Sequence, residues 1–199
     1  MTDEFLKAVK NRRSVYGISG EKTVPEERIE AIVEQAVRYA PSAFNSQSGR
    51  VVLLFGAGHK KLWDIVRQTL KKAVPAERFA PTEEKIRSFE AGYGTVLYFD
   101  DTSVTDGYAR KFPLYQDNFP VWAQQSSGML QYVIWTALEE EGLGVSLQHY
   151  NPLIDEEVRS EWKLPESWKL IAQMPFGSVA APAPEKEILP VEGRLKVVK

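Results

Sequence analysis

The chain has 199 residues, 43% hydrophobic and 26% charged, the balance of an ordinary globular protein of one domain. It has no cysteine, which excludes disulfides and thiolate metal sites, and its two histidines, His59 and His149, lack the spacing of a paired imidazole zinc site. A formal charge of −2 with no polybasic block argues against a nucleic-acid binder and against a binder of anionic membranes.

The opening MTDEFLKAVKNRRS lacks the apolar core of a signal peptide, and no run of about 18 apolar residues follows, so a cytoplasmic protein is expected. Residues 2–13 read as a short helix capped by Thr2, with Asp3 and Glu4 in its first turn and Phe5, Ala8 and Val9 on one face. After the turn-rich SVYGISGEKTVP, Thr23 and Glu26 have the spacing of a capping box for a helix to Tyr39. Its apolar stripe is Ile29, Ile32, Val33, Ala36 and Val37, and Pro41 stops it. VVLLF at 51–55 is apolar on both faces, the pattern of a central strand covered on both sides.

Leu62, Ile65, Val66 and Thr69 mark an amphipathic helix beginning near Lys60, and PTEEKIRSFEAG supports a shorter one from Thr82 to Gly92. GTVLYFDD at 94–101 is a second central strand, and 102–120 a polar, aromatic-rich connection of the length of a functional lid. The longest helix runs from Val121 to about Glu141 and ends at Gly142; its apolar surface is wide enough for burial on more than one side, in a core or a dimer. GVSLQHY gives a third strand or extended segment, DEEVRSEWKL a short helix, and WKLIAQMPFGS a fourth strand. A Pro-rich extended tail from about 180 to 199 follows, with RLKVV as a last strand. The fold class is α+β, a small sheet wrapped by helices, in one unit over 1–199.

Four stretches are candidates for chemistry. Arg12, Arg13 and Ser14, at the end of a helix, can hold a phosphate through charge-assisted hydrogen bonds; equally, cations at a helix C-terminus are favourable by about 0.3–1 kcal/mol in their own right. In APSAFNSQ, Asn45 and Gln47 each offer an amide donor and a carbonyl acceptor, matching the polar edge of a pyrimidine-like ring, while the other reading is turn chemistry. Leu147, Gln148, His149 and Tyr150 can line a flat ligand after the tight turn at Gly142 and Gly144, or be packed and surface residues. Lys186 and Arg194 matter only if the tail returns to Arg12 and Arg13. The runs PEER, PTEEK and EEEG read as solvated helix surface, and no Gly-rich phosphate loop follows any predicted strand.

Taken in order, RRS, APSAFNSQ, GLG and a Pro-rich tail with Lys and Arg resemble the FMN-dependent nitroreductase family across almost the whole chain. HKKLWDIV, SFEAGYGTVLYF, SLQHYN and PEKEILPVEGRLKV look like its short fatty-acid-repression-mutant type. The resemblance implies a three-layer sandwich with a small mixed sheet, a domain-swapped homodimer, and FMN bound between subunits. It also implies NAD(P)H as donor and a small-molecule acceptor, a nitroaromatic or a quinone, reduced in a ping-pong hydride mechanism that needs no catalytic side chain. By the same resemblance Arg12, Arg13 and Ser14 reach the FMN phosphate and ribityl chain, and Pro41, Ser42, Ala43, Asn45 and Gln47 the ribityl chain and ring. Leu147, Gln148, His149 and Tyr150 back the ring, and Lys186 and Arg194 join the phosphate contacts. Tyr16 stands where many members carry a further basic residue, and QSG replaces the commoner QPW. A flavin-binding regulatory or stress-response protein of low turnover is the alternative, and a plain interaction module a third.

Overall fold

A computed structural model describes residues 2–199. Helix α1 spans Thr2–Asn11, strand β1 Gly17–Ser19, α2 Glu26–Tyr39 and β2 Gly49–Phe55. Then come α3 (Gly56–Ala73), α4 (Phe79–Glu90), β3 (Gly94–Asp101), α5 (Thr102–Lys111) and α6 (Phe119–Glu140). The chain continues through β4 (Leu143–Val145), α7 (Asp155–Glu161) and β5 (Trp168–Ala181).

The sheet order is β1-β5-β3-β2, with β4 also on β5. Period-two alternation divides its two faces. On β3, Val96 and Tyr98 enter a core with α2 and α6, whereas Leu97 and Phe99 enter a second core with α3, α4 and α7. The result is helices, sheet, helices: the three-layer α+β sandwich that the sequence suggests. β3 and β5 are its centre, in antiparallel register with Val96 opposite Met174 and Tyr98 opposite Ala172. Gly177 on β5 lies where backbones crowd, since a Cβ there would stand 2.3 Å from the Ser19 carbonyl oxygen.

Several expectations need correction. Every ladder among the described residues is antiparallel, so the sheet is not mixed within one chain. β2 is an end strand paired to β3 alone, not a central one. Its apolar run reports that both faces are covered by helices, which says nothing about its edges. Thr2 is the first helical residue and not a cap, and α1 buries none of its side chains in this chain. Thr23 makes no capping box: its hydroxyl lies 2.8 Å from the Ser178 hydroxyl on β5, Glu26 pairs with Lys22, and Pro25 stands at the cap position. The connection 102–120 is mostly helical, because the Asp101 carboxylate caps α5 and a 3-10 turn at Pro113–Asn118 leads into α6. RLKVV is exposed and forms no strand, having no neighbour in this chain to pair with.

Candidate functional site

α6 carries the geometry that arranges the candidate residues. At its C-terminal end, the Glu139 carboxylate accepts the Arg13 backbone N–H at 2.8 Å and the Trp135 indole N–H at 2.7 Å. Trp135 also donates to the Arg13 carbonyl, and the Arg12 guanidinium lies 4.5 Å from the centre of the Trp135 ring. A cation so placed gains about 0.5–1 kcal/mol from the ring. Burial raises the Glu139 carboxyl above its ordinary range, with the hydrogen bonds from Arg13 and Trp135 and the charges of Arg12 and Arg13 acting against it. The Val15 N–H then donates to the Val145 carbonyl at 2.8 Å, so Arg12, Arg13 and Ser14 run alongside β4.

The tail comes back to this corner. The Arg13 guanidinium donates to the Pro184 carbonyl, and Arg13, Glu139, Val179 and Pro182 line one cavity of about 330 Å³. Lys186, two residues beyond Pro184, is exposed. Arg194 is spent within the tail, closing a turn on the Leu189 and Pro190 carbonyls.

Residues 41–47 lie toward the other end of α6, beside Ser126 and Leu130. Pro41 follows the last residue of α2's capping turn, and the Ser42 hydroxyl accepts the Gln47 N–H at 2.9 Å. Ala43–Asn45 form a 3-10 turn in which Phe44 and Asn45 have φ of 56° and 50°; Gln47 has φ 50°. Non-glycine residues in this region cost of order 1–3 kcal/mol each, and asparagine tolerates it best. Asn45 and Gln47 are exposed, and the Gln47 side-chain amide donates back to the Asn45 carbonyl at 3.4 Å. The Phe44 ring packs against Phe112, Phe119 and Trp122, with Tyr108 beyond, so the aromatic residues of 102–122 anchor the loop.

Leu147 packs on the α2–α6 core, and His149 is exposed. Their neighbours turn inward: the Gln148 amide donates to the Ser146 hydroxyl, and its backbone makes a two-bond bridge with Gln173. The Tyr150 ring meets Trp63 edge-on, and burial pushes its phenol up to about 12. Extended backbone explains the split, since alternate residues face opposite ways.

The chain thus brings together Arg12, Arg13, Ser14, the start of the tail and the approach to Leu147. It does not bring Pro41–Gln47 to them. From Ser126 to Glu139 the axis of α6 covers roughly 20 Å at its rise of about 1.5 Å per residue. Between the two lies an open groove of about 650 Å³, lined by Ile32, Ala36, Tyr39, Pro41, Val133 and Ala137. The residues that organise the site but escape a sequence reading are Trp135 and Glu139, one helical turn apart, and Arg50, discussed below. Among the described residues no cluster of three metal-ligating side chains occurs, and no helix is long and apolar enough to cross a membrane.

Residues 9–178 match the model of the nitroreductase family. The chain belongs to that family. Two Saccharomyces cerevisiae relatives agree: HBN1, 39% identical over 92% of this chain and 91% of its own length, and the nitroreductase FRM2, 33% identical over 94% of each. The nitroreductase CinD from Lactococcus lactis, solved with 4-nitrophenol, superposes with a TM-score of 0.90 at 46% identity, covering 98% of this chain and all of its own. A Desulfovibrio desulfuricans protein solved with FMN, 16% identical, shares the fold at a TM-score of 0.70, over 96% of this chain and 95% of its own. As a member of the nitroreductase family, this chain is an oxidoreductase by family, and its resemblance to the short yeast and bacterial type holds across the full fold.

Proposed function

We propose that this nitroreductase is an FMN-dependent NAD(P)H oxidoreductase that reduces nitroaromatic or quinone-type acceptors, and that it works as a cytoplasmic homodimer. The observation that carries the reading is the strained loop 43–47, which presents the Asn45 and Gln47 amides at one end of the α2–α6 groove while Arg12 and Arg13 sit at the far end of α6. Bound FMN supplies the two-electron hydride chemistry. The residues fit that group: cations for its phosphate, donor–acceptor amides for its ring edge, and an apolar wall between.

In this reading Arg12, Arg13 and Lys186 bind the phosphate, with Glu139 and Trp135 holding the Arg12–Arg13 backbone and ring-stacked guanidinium in place. Asn45 and Gln47 orient the ring. Because these groups stand far apart on one chain, each cofactor takes its phosphate contacts from one protomer and its ring contacts from the partner. The exposed apolar residues Val133, Met129 and Tyr39 on α6 and α2, with Phe5 and Leu6 on α1, support a large interface between two copies. The relatives solved with FMN and with 4-nitrophenol support the cofactor and the acceptor class.

The decisive experiment is a visible spectrum of purified protein before and after anaerobic NADH and NADPH. A yellow protein bleached by a donor and recoloured by a nitroaromatic or quinone is expected, with the faster donor identifying the preference. Arg12→Ala should weaken FMN binding by about tenfold, the scale of one charge-assisted hydrogen bond. Colourless protein that takes up no added FMN overturns the proposal.

A further inference from the structure

Gln47, like Phe44 in the same loop, has a left-handed backbone for which its residue type has no preference. Such a conformation persists only where its surroundings over-determine it. Two side chains hold Gln47: the Ser42 hydroxyl, which accepts its N–H at 2.9 Å, and Arg50, the residue that follows QSG. Its Nη1 donates to the Gln47 carbonyl at 2.7 Å and to the Gly49 carbonyl at 3.0 Å, while Nη2 donates to Asp101 Oδ2 at 3.0 Å.

Asp101 is the cap of α5. Its Oδ1 accepts the Ser103 N–H at 3.2 Å and the Ser103 hydroxyl at 2.6 Å, and its own N–H donates to the Ser48 carbonyl at 2.9 Å. The buried Asp100 takes the Thr105 hydroxyl on both oxygens, fixing the same turn of α5 from below. At the far end of α5, Phe112 meets the Phe44 ring at 4.9 Å between centroids. Helix and loop therefore touch at both ends, and one guanidinium bonds to both partners at the first end. A planar fork presents its donors in fixed directions from separate nitrogens, whereas the three donors of an ammonium rotate about a single one.

We propose that Arg50 is a positioning residue for the cofactor: it locks the Gln47 carbonyl and the start of α5 into one unit, so that the amide loop and the helix beside it are set together. The proposal rests on the reading of 41–47 as the flavin loop.

The test compares the parent with Arg50→Met, Arg50→Lys, Asp101→Asn and the Arg50→Met/Asp101→Asn double variant. Amide exchange in protein stripped of cofactor reads the coupling, and FMN titration by fluorescence, with the visible circular dichroism of bound flavin, reads positioning. Arg50→Met and Asp101→Asn should each speed exchange in both 43–48 and 102–107 by about fivefold or more. Each should also weaken FMN binding about tenfold and reduce the flavin dichroism, with Arg50→Lys between them and the parent. The double variant should bind FMN no worse than the weaker single one, because both changes break the same link.

Faster exchange confined to the substituted segment, or FMN affinity within about twofold of the parent in both single variants, overturns the proposal. If Arg50→Met does not fold, Arg50→Lys and Asp101→Asn decide. A parent that binds no FMN overturns the flavin reading, and the exchange data then still decide whether Arg50 couples loop and helix.

Discussion

The two faces of the sheet are built to different standards. Against α3, α4 and α7 the sheet is closed: Trp63, Leu62, Val66, Ile86, Phe89, Ile154 and Val158 are all fully buried, and His59, Thr95 and Trp63 are hydrogen-bonded to one another among them. Against α2 and α6 the inner residues are buried as well, but the two helices leave a groove of about 650 Å³ between them, with Val133 42% and Tyr39 73% exposed. The closed face completes itself within one chain. The open face carries the strained loop and the cationic corner at the two ends of one helix, and its apolar surface has no cover in the chain. On the proposed reading, the face that completes its own core serves stability, and the open face carries the phosphate and ring contacts of the cofactor.

The largest effect that tests this division belongs to the closed face. Trp63→Ala removes a fully buried ring that packs on Phe89 and Tyr150 and donates to Thr95, and it should cost about 3–5 kcal/mol of stability in a denaturant titration. A loss below about 1 kcal/mol would mean that this face is less complete than its burial implies. The open face should respond the other way. Val133→Asp places a charge in the groove without opening any core, so far-UV circular dichroism should retain its helical signal. If the proposed dimer forms across this groove, sedimentation should nevertheless change from dimer to monomer, with FMN lost in parallel. A variant that stays dimeric would remove α6 from the interface.

The sequence makes the two faces unequally legible. Apolar periodicity reveals α2, α3 and α6, β3 and most of β5, because each must bury a stripe or a face whatever surrounds it. β2's place at the end of the sheet is not readable from VVLLF, since strand order depends on partners distant in sequence. Helix α5 was hidden because TSVTDGYARK has weak intrinsic preference and is held by the Asp101 cap and by ring packing onto Phe44. Of the candidate site, Asn45 and Gln47 announce themselves by residue type. Arg50 does not, because its importance lies in three acceptors, two of them backbone carbonyls with no side-chain signature. The inward turn of Gln148 and Tyr150 likewise follows from the bridge to Gln173, which is set by tertiary pairing.

The smallest effect concerns the closed face in acid. His59 Nε2 stands 3.1 Å from the Glu90 carbonyl and must donate to it; Nδ1 then accepts from the Thr95 hydroxyl at 2.8 Å, whose oxygen in turn accepts the Trp63 indole N–H. This chain of bonds is complete only for neutral imidazole. Burial lowers the His59 pKa, the nearby Lys60 charge acts in the same direction, and the Glu90 contact opposes them without reversing the shift. Between the folded value and the unfolded one near 6.5, the unfolded chain binds more protons, so this contribution to stability is full above about pH 6.5 and lost as pH falls. Glu139 acts with the opposite sign: its raised pKa makes ionisation unfavourable in the folded chain, a penalty relieved as pH falls. The His59 term is therefore isolated as a difference between two proteins. Thermal midpoints of the parent and His59→Gln, taken from about pH 7.5 to 5, should show a steeper acid decline in the parent, below about pH 6.5. Parallel curves would show that the closed face accommodates a charged imidazole, and that the network around Thr95 is less exacting than its geometry implies.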